Sequence, residues 1–516
     1  MITFKRLLLN FMLLTATATF VTSCEVEDGV DGTDGVNGSD GANGSDGEDF
    51  TPEPAMFSNK SNLEPLVAMM PQFNYVNAYS ILSSSDTLSN DFKLVGAQDG
   101  AGLLKDPNSD GYMYIVNAED TYAVSRIMLD KYLTPVSGEW LLNSSVADYA
   151  RQCSGTMWEA EIHGGSQDLF LSASESINYD VKGIDPYMTP EPGADFGLDA
   201  LGEFSWENAV PLPKVAYPGK TVIIGGDDDS SGSEGQVALY LSENGDADLE
   251  NGKIYVLRFK EISDGNNGKT TVNTGEIYNE SNLDFQQTYA VEFVEIANGK
   301  DFTKDEMEDA CVAVQASAFM RVEDVDYQKG SASNNRNVYF AVTGRGPGRG
   351  TYNDWGTVYK LELDENNPLE GQLTQVVSGN TSSNNADGNV SVLQSPDNIC
   401  VTENFVYFQE DPNSFDRGHS AYIYQSDLNG NNVNPVLEFV VRQDLAENGS
   451  TGLSGEYGAL TDISEKVGVP GTFMLNLQPH YWKDESFKGR DGHTFTDGTY
   501  EDNQGGQIVL LQGLPR

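Results

Sequence analysis

Five short stretches of this chain set an acidic or metal-ligating side chain at the edge of an apolar run, and these are the residues that could do chemistry. The first is Arg151-Gln152-Cys153-Ser154-Gly155-Thr156-Met157-Trp158, followed by Leu171-Ser172-Ala173-Ser174-Glu175. The second is Gly202-Glu203-Phe204-Ser205-Trp206-Glu207, with Gly225-Gly226-Asp227-Asp228-Asp229 about twenty residues later. The third is Arg321-Val322-Glu323-Asp324. The fourth is Ser395-Pro396-Asp397-Asn398-Ile399, with Glu410-Asp411 after the next strand, and the fifth is Phe473-Met474-Leu475-Asn476-Leu477-Gln478-Pro479-His480. Only 4 histidines occur in 516 residues, which leaves little room for a His-rich zinc site, so a metal here would sit mainly on oxygen. Each stretch also has a plainer reading: Glu207 and Glu323 as strand-end carboxylates, Asp227 to Asp229 as a solvated turn, Cys153 as a small core residue.

In this order the five stretches resemble the PhoX-type alkaline phosphatases, a family of exported β-propeller enzymes. The Cys153 to Trp158 block is similar to the family's metal-ligating cysteine segment, and Glu175 stands where its acidic stretch follows. Gly202 to Glu207 is similar to Gly-Arg-Phe-x-His-Glu, which puts Glu207 at a ligand glutamate, and Gly226-Asp227-Asp228 matches the acidic turn after the next strand. Arg321 to Asp324 resembles Arg-Pro-Glu-Asp, implying a phosphate-binding Arg321 and a metal-ligating Glu323. The later motifs resemble Pro-Asp-Asn and Asn-x-Gln-His, which puts Asp397, Asn398 and His480 on the substrate side.

The resemblance, running from about Tyr112 to Trp482, implies iron (Fe3+) and calcium (Ca2+) in one cluster at the propeller mouth. Its ligands would be Cys153, Glu175, Glu207, Asp227, Asp228 and Glu323. Hard cations prefer carboxylate oxygen, and one thiolate can hold a ferric ion. Such a cluster polarises a phosphoryl group and neutralises its charge, so the catalytic pair would be Arg321 and Glu323 rather than a serine or histidine nucleophile. Arg321 would clamp the non-bridging oxygens through its planar fork. The implied activity is hydrolysis of phosphate monoesters. The chain departs from the pattern at Trp206 (histidine in the family), Val322 (proline), Ala118 in Asn117-Ala118-Glu119 (histidine), and Gly183 before Ile184-Asp185-Pro186 (glutamate). These departures keep two alternatives open: an inactive surface propeller that binds a ligand or partner, and another calcium-dependent propeller hydrolase.

What must position these residues is a set of short strands. From about residue 57 the chain breaks into runs such as Tyr112-Met113-Tyr114-Ile115-Val116, Lys253-Ile254-Tyr255-Val256-Leu257, Val338-Tyr339-Phe340-Ala341-Val342 and Ile508-Val509-Leu510-Leu511. Gly, Asn, Asp and Ser punctuate them. Such patterning predicts an all-β fold, and some 460 residues handled as one unit predicts a β-propeller over 57–516 with loop and short helical insertions. Glu306 to Val314 is expected to be one such insertion. No clean repeat is visible, so blade number does not follow.

Ahead of that domain, Lys5 and Arg6, an apolar run from Leu7 to about Val21, and Val21-Thr22-Ser23-Cys24 read as a secretory leader over 1–23. The small residues before Cys24 resemble a lipobox, implying lipidation at Cys24. Glycine recurs every third residue from Gly29 to Gly47 without proline, which predicts a flexible acidic tether over 24–56 rather than a collagen stalk. The expected location is the cell envelope, at the outer membrane or cell surface, held to the membrane by that lipid, as a monomer. A net charge of −49 repels nucleic acid, so none is expected as a partner. Gly344-Arg345-Gly346-Pro347-Gly348-Arg349-Gly350 lacks the ending of a P-loop, and Asp227-Asp228-Asp229 lacks the terminal glutamate of an EF-hand.

Overall fold

The computed structural model describes residues 55–346, 352–379, 388–412, 415–446, 454–495 and 502–516. The expected leader, the lipidated Cys24, the tether up to residue 54 and part of the arginine-glycine loop lie outside the described residues. The rest is a β-propeller whose antiparallel sheets form six blades. Blade 1 holds Gln98–Lys105, Tyr112–Ala118, Ala123–Leu129 and Pro135–Leu142, and blade 2 holds Gln152–Trp158, Leu169–Ser174 and Val181–Ile184. Blade 3 runs Trp206–Pro211, Thr221–Asp227, Val237–Ser242, Lys253–Phe259, and blade 4 runs Val322–Tyr327, Asn337–Val342, Thr357–Leu363, Glu370–Ser378. The strand Thr288–Ile296 pairs with the outer strands of both and fuses them into one nine-stranded sheet.

Blade 5 is Pro396–Val401, Phe405–Glu410, Tyr422–Asp427 and Asn434–Phe439, edged by Val67–Met69. Blade 6 is Glu456–Asp462, Thr472–Gln478 and Gln507–Gln512, completed on its outside by the early strand Asn77–Ser83. Chain segments more than four hundred residues apart therefore share one sheet, and this closes the ring. The innermost strands neighbour one another in the order of the blades, with blade 6 returning to blade 1.

The sequence makes these strands apolar on both faces because each blade is covered on both sides by its neighbours. Tyr112–Ala118 and Val237–Ser242 are buried along their whole length. Six clusters of buried hydrophobic side chains fill the six gaps between blades: Ile81, Tyr114 and Leu510 between blades 6 and 1, for instance, and Tyr339, Ile399 and Phe408 between blades 4 and 5. Each such side chain stabilises the ring by roughly 1.5–3 kcal/mol when fully buried. The expected helical insertion is Lys304–Ala313, two residues earlier at its start than the periodicity gives, because Thr303 and Glu306 form a reciprocal capping box.

Candidate metal centre

All six innermost strands break register with their neighbour near their beginning. The shifts fall between Gln98 and Ala101, Gln152 and Gly155, Trp206 and Asn208, Val322 and Val325, Pro396 and Ile399, and Tyr457 and Leu460. The residues released from the ladder are Asp99-Gly100, Cys153-Ser154, Glu207, Glu323-Asp324, Asp397-Asn398 and Gly458-Ala459. A bulge re-aims a side chain that the ladder would otherwise alternate outward. Here it turns one chemically able residue from each of five blades toward the channel axis, and a glycine from the sixth leaves room.

Side-chain amides from second strands brace these bulges across blade boundaries. Asn117 Nδ2 donates to the Cys153 carbonyl at 2.5 Å, Gln409 Nε2 to the Gly458 carbonyl at 2.5 Å, and Asn476 Nδ2 to the Asp99 carbonyl. Asp324 ties three blades, accepting from Asn208 Nδ2 of blade 3 and from the Ile399 amide of blade 5 at 3.0 Å. Glycine is required at Gly100, where a Cβ would meet the Gly155 nitrogen at 1.9 Å.

Four groups of potential ligands result, each bringing its ligand atoms within 4.8 Å of one another: Asp99, Cys153 and Glu207; Glu207, Glu323 and Asp397; Glu119, Cys153 and Glu175; and Asp411, Glu456 and His480. Glu207 and Cys153 each belong to two. Burial pushes the carboxyls of Asp99, Glu207, Glu323 and Asp397 and the Cys153 thiol well above their ordinary ranges, and neighbouring carboxylates add to it. Burial, partly offset by Arg151, pushes Glu119 up to about 8, and burial with Asp411 nearby pushes Glu456 up to about 7. Burial opposes charge on His480, yet its 2.8 Å hydrogen bond to Glu456 raises it to about 10.

Arg321 borders this set from the start of blade 4, where its backbone takes a left-handed φ of 66°. Its Nε and Nη2 lie 2.7 and 3.0 Å from the two Asp228 oxygens, and Nη2 also lies 3.0 Å from Glu323 Oε1. Positive φ at a residue with a side chain costs energy and clusters at functional sites.

Of the residues singled out by sequence, the structure brings Cys153, Glu175, Glu207, Glu323, Asp397 and His480 into these groups. Asn398 links them, donating to Asp99 at 3.2 Å and to Ser154 at 2.8 Å, and Asp228 joins through Arg321. Asp227, expected as a ligand, is placed elsewhere: its Oδ1 accepts from the Ser205 amide and lies 3.4 Å from Lys304 Nζ. The strand Thr221–Asp227 ends at this residue, and just past it Asp228 meets Arg321, so the two aspartates serve different partners. Position 183 also lies off the site. It is on the outer strand of blade 2, where a Cβ would meet Leu198 at 3.1 Å, so a glutamate there could not complete the cluster without rearrangement. Trp206 is packed between blades 2 and 3, and the bulge leaves the next residue, Glu207, facing the channel.

Sequence reasoning assigned no role to Asp99, Glu119, Arg151, Asp411 or Glu456. Asp99-Gly100 and Glu456-Tyr457-Gly458 carried a usable signal, a carboxylate beside a glycine at the start of a buried strand.

No family model matches the chain, and no curated protein matches it. Among solved structures it is similar to Pseudomonas fluorescens PhoX in complex with vanadate, a transition state analogue, at a TM-score of 0.55 and 12% identity, over 86% of this chain and 96% of that one. This chain has a PhoX-like propeller fold. The PQQ-bound aldose sugar dehydrogenase of Streptomyces coelicolor superposes at a TM-score of 0.34 and 11% identity, over 85% of this chain and 98% of that one.

The donor set fits cations on two observations. The ligand atoms are carboxylate oxygens with one thiol and, in one group, the His480 imidazole, a set suited to hard cations and a ferric ion. In addition, the buried Asn398 Oδ1 has no hydrogen-bond partner among the described residues although its Nδ2 reaches Asp99. A polar atom left bare in a buried acidic site is placed to complete a coordination shell.

Proposed function

We propose that this chain is an exported metal-dependent phosphatase that hydrolyses phosphate monoesters, a divergent member of the PhoX-type alkaline phosphatases. The observation that carries this reading is the convergence of Asp99, Cys153, Glu207, Glu323 and Asp397 beside Arg321 on five bulged inner strands. Cys153, with Asp99 and Glu207, would hold iron, and Glu207, Glu323 and Asp397 would hold calcium. When bound, these cations polarise the phosphoryl group and neutralise its charge. Arg321 exchanges its hold on Asp228 for the non-bridging phosphate oxygens, and Glu323 keeps it aimed. Asn398 and the charged His480, held by Glu456, orient the ester. Cys24, lipidated, keeps the monomeric enzyme at the cell envelope, on the outer membrane or cell surface.

Purified protein is expected to contain iron and calcium and to hydrolyse an aryl phosphate at alkaline pH, with inhibition by vanadate. Undetectable turnover after reconstitution with both metals would overturn the reading. The observation favouring a second reading, a ligand-binding propeller without turnover, is that Arg321 is already held by Asp228 and Glu323. That reading expects calcium to stabilise the fold while every ester tested remains intact. A calcium-dependent hydrolase of another ester class would instead cleave lactones or polyphosphorylated substrates in the same assay panel.

A further inference from the structure

One corner of the channel already contains a cation of the chain's own. Arg151 Nη1 lies 3.0 Å from Glu119 Oε1 and 4.0 Å from Glu175 Oε2. Glu119, Glu175 and Cys153 are one of the groups whose ligand atoms lie within 4.8 Å of one another. The backbone fixes this arrangement, since the Glu175 amide donates to the Arg151 carbonyl at 3.2 Å and so ties the segments carrying the two residues together. Glu119 is held in turn by the short 3-10 turn Glu119–Thr121, whose Glu119 and Asp120 amides donate to the Ala97 and Gly96 carbonyls at 3.0 Å.

The inner position is different. Asp99 receives Asn398 Nδ2 at 3.2 Å, and Glu207 receives the Ser154 hydroxyl at 3.1 Å; both donors are neutral. The same three-ligand geometry therefore occurs twice around Cys153, once with a guanidinium in hydrogen-bond contact and once with neutral donors alone. A metal ion and a guanidinium compete for the Glu119 corner, because both would bind the Glu119 carboxylate. Two positive charges about 4 Å apart also repel.

We propose that Arg151 is a resident cation that takes the place of a metal ion at the Glu119–Cys153–Glu175 corner, so that metal is held only where Glu207 is a ligand. This rests on the metal-site reading above and sharpens it: the chain is built for fewer metal ions than its acidic groups could hold. Chelators cannot remove the Arg151 charge. Its side chain is 50% exposed, which leaves guanidinium N–H groups on the solvent side for an anion entering the mouth.

The test counts metal and does not need turnover. Wild type, Arg151→Gln, Glu119→Gln and Glu207→Gln, each as the folded full-length mature chain, are dialysed to equilibrium against calcium and iron, and bound metal is measured by mass spectrometry. Arg151→Gln is expected to bind one metal ion more per chain than wild type. Glu119→Gln is expected to keep the wild-type count, and Glu207→Gln to lose at least one ion. An unchanged or lower count in folded Arg151→Gln, or a metal lost from Glu119→Gln, would overturn the proposal. Should Arg151→Gln not fold, Glu119→Gln decides alone, since a metal at that corner must be lost with its ligand. Failure of the phosphatase reading would appear separately, as absent hydrolysis by the wild-type chain.

Discussion

Two acidic clusters in this molecule, both touched by the triplet Asp227-Asp228-Asp229, differ in what balances them. In the first, Lys304 Nζ reaches Asp229 at 2.6 Å, Glu308 at 3.2 Å and Asp227 at 3.4 Å, and the lysine side chain is only 8% exposed. The Lys304 hydrogen bond overcomes burial at Asp229 and draws its carboxyl below the usual range, while at the more deeply buried Asp227 burial wins and the carboxyl is pushed up to about 7. In the second, the channel collects Asp99, Cys153, Glu207, Glu323 and Asp397, and Arg321 pairs with Glu323. The first cluster is closed by the chain. The second gathers four carboxylates and a thiol whose charged forms burial disfavours and an added cation would favour, and the triplet Asp227-Asp228-Asp229 contributes to the closed one and, through Arg321, to the rim of the open one.

The largest expected effect tests the closed cluster. Lys304→Met leaves three carboxylates without their cation, and removing one partner of a buried ion pair costs about 3–5 kcal/mol. Thermal and urea unfolding are expected to show that loss while the bound-metal count stays at the wild-type value. A metal count that falls with it would mean that the two clusters are not separate.

Next comes the open cluster. Glu207→Gln removes the carboxylate shared by two ligand groups and is expected to lower aryl phosphatase activity roughly a hundredfold, with loss of bound metal. Asp227→Asn, only a strand away, is expected to leave activity within about twofold, as suits a residue directed at Lys304 rather than at the channel. Equal losses in the two variants would erase the distinction.

A smaller effect appears when pH is raised. Glu119 and Glu456, at about 8 and 7, are raised above the ordinary glutamate value, so the fold prefers their neutral forms. Their contribution is fully present below the ordinary range and is lost as pH rises through 7 to 8. The melting temperature is therefore expected to fall between about pH 5 and pH 8 in chelated and metal-loaded protein alike, since Arg151 rather than a metal stands beside Glu119 and Glu456 belongs to no group that contains Glu207. A fall confined to the chelated form would show that metal balances this charge.

The contrast also explains what could be read in the residues beforehand. The all-β propeller was legible because apolar runs with turn residues between them report strands directly, and the blade number was not, because inter-strand distances vary from blade to blade and one strand, Thr288–Ile296, fuses two blades. Cys153, Glu207, Glu323 and Asp397 stood out since a polar pair at the start of an apolar strand is costly unless a bulge gives it somewhere to point. Asp227 misled for the opposite reason. Its neighbour Asp228 faces Arg321, and nothing local says which of three consecutive aspartates will meet a lysine 77 positions further on, Lys304. Arg151 and Glu119 were unreadable as a pair because their contact spans two blades and 32 residues.

The finest comparison is between a ligand and the residue that braces it. Asn117 Nδ2 donates to the Cys153 carbonyl at 2.5 Å, and its Oδ1 accepts from the Ser172 hydroxyl at 2.9 Å, so the bulge presenting the thiol is held from the blade next door. Asn117→Ala leaves both partners without their hydrogen bond inside a buried interface, a loss of about 1–3 kcal/mol. If bracing also sets where Cys153 points, metal affinity should fall about tenfold, the usual scale for a group that orients a ligand without touching the ion. Measuring calcium and iron binding well below the melting temperature separates the two effects. Lower stability with unchanged affinity would assign the aim of Cys153 to its own bulge and leave Asn117 a device of the fold.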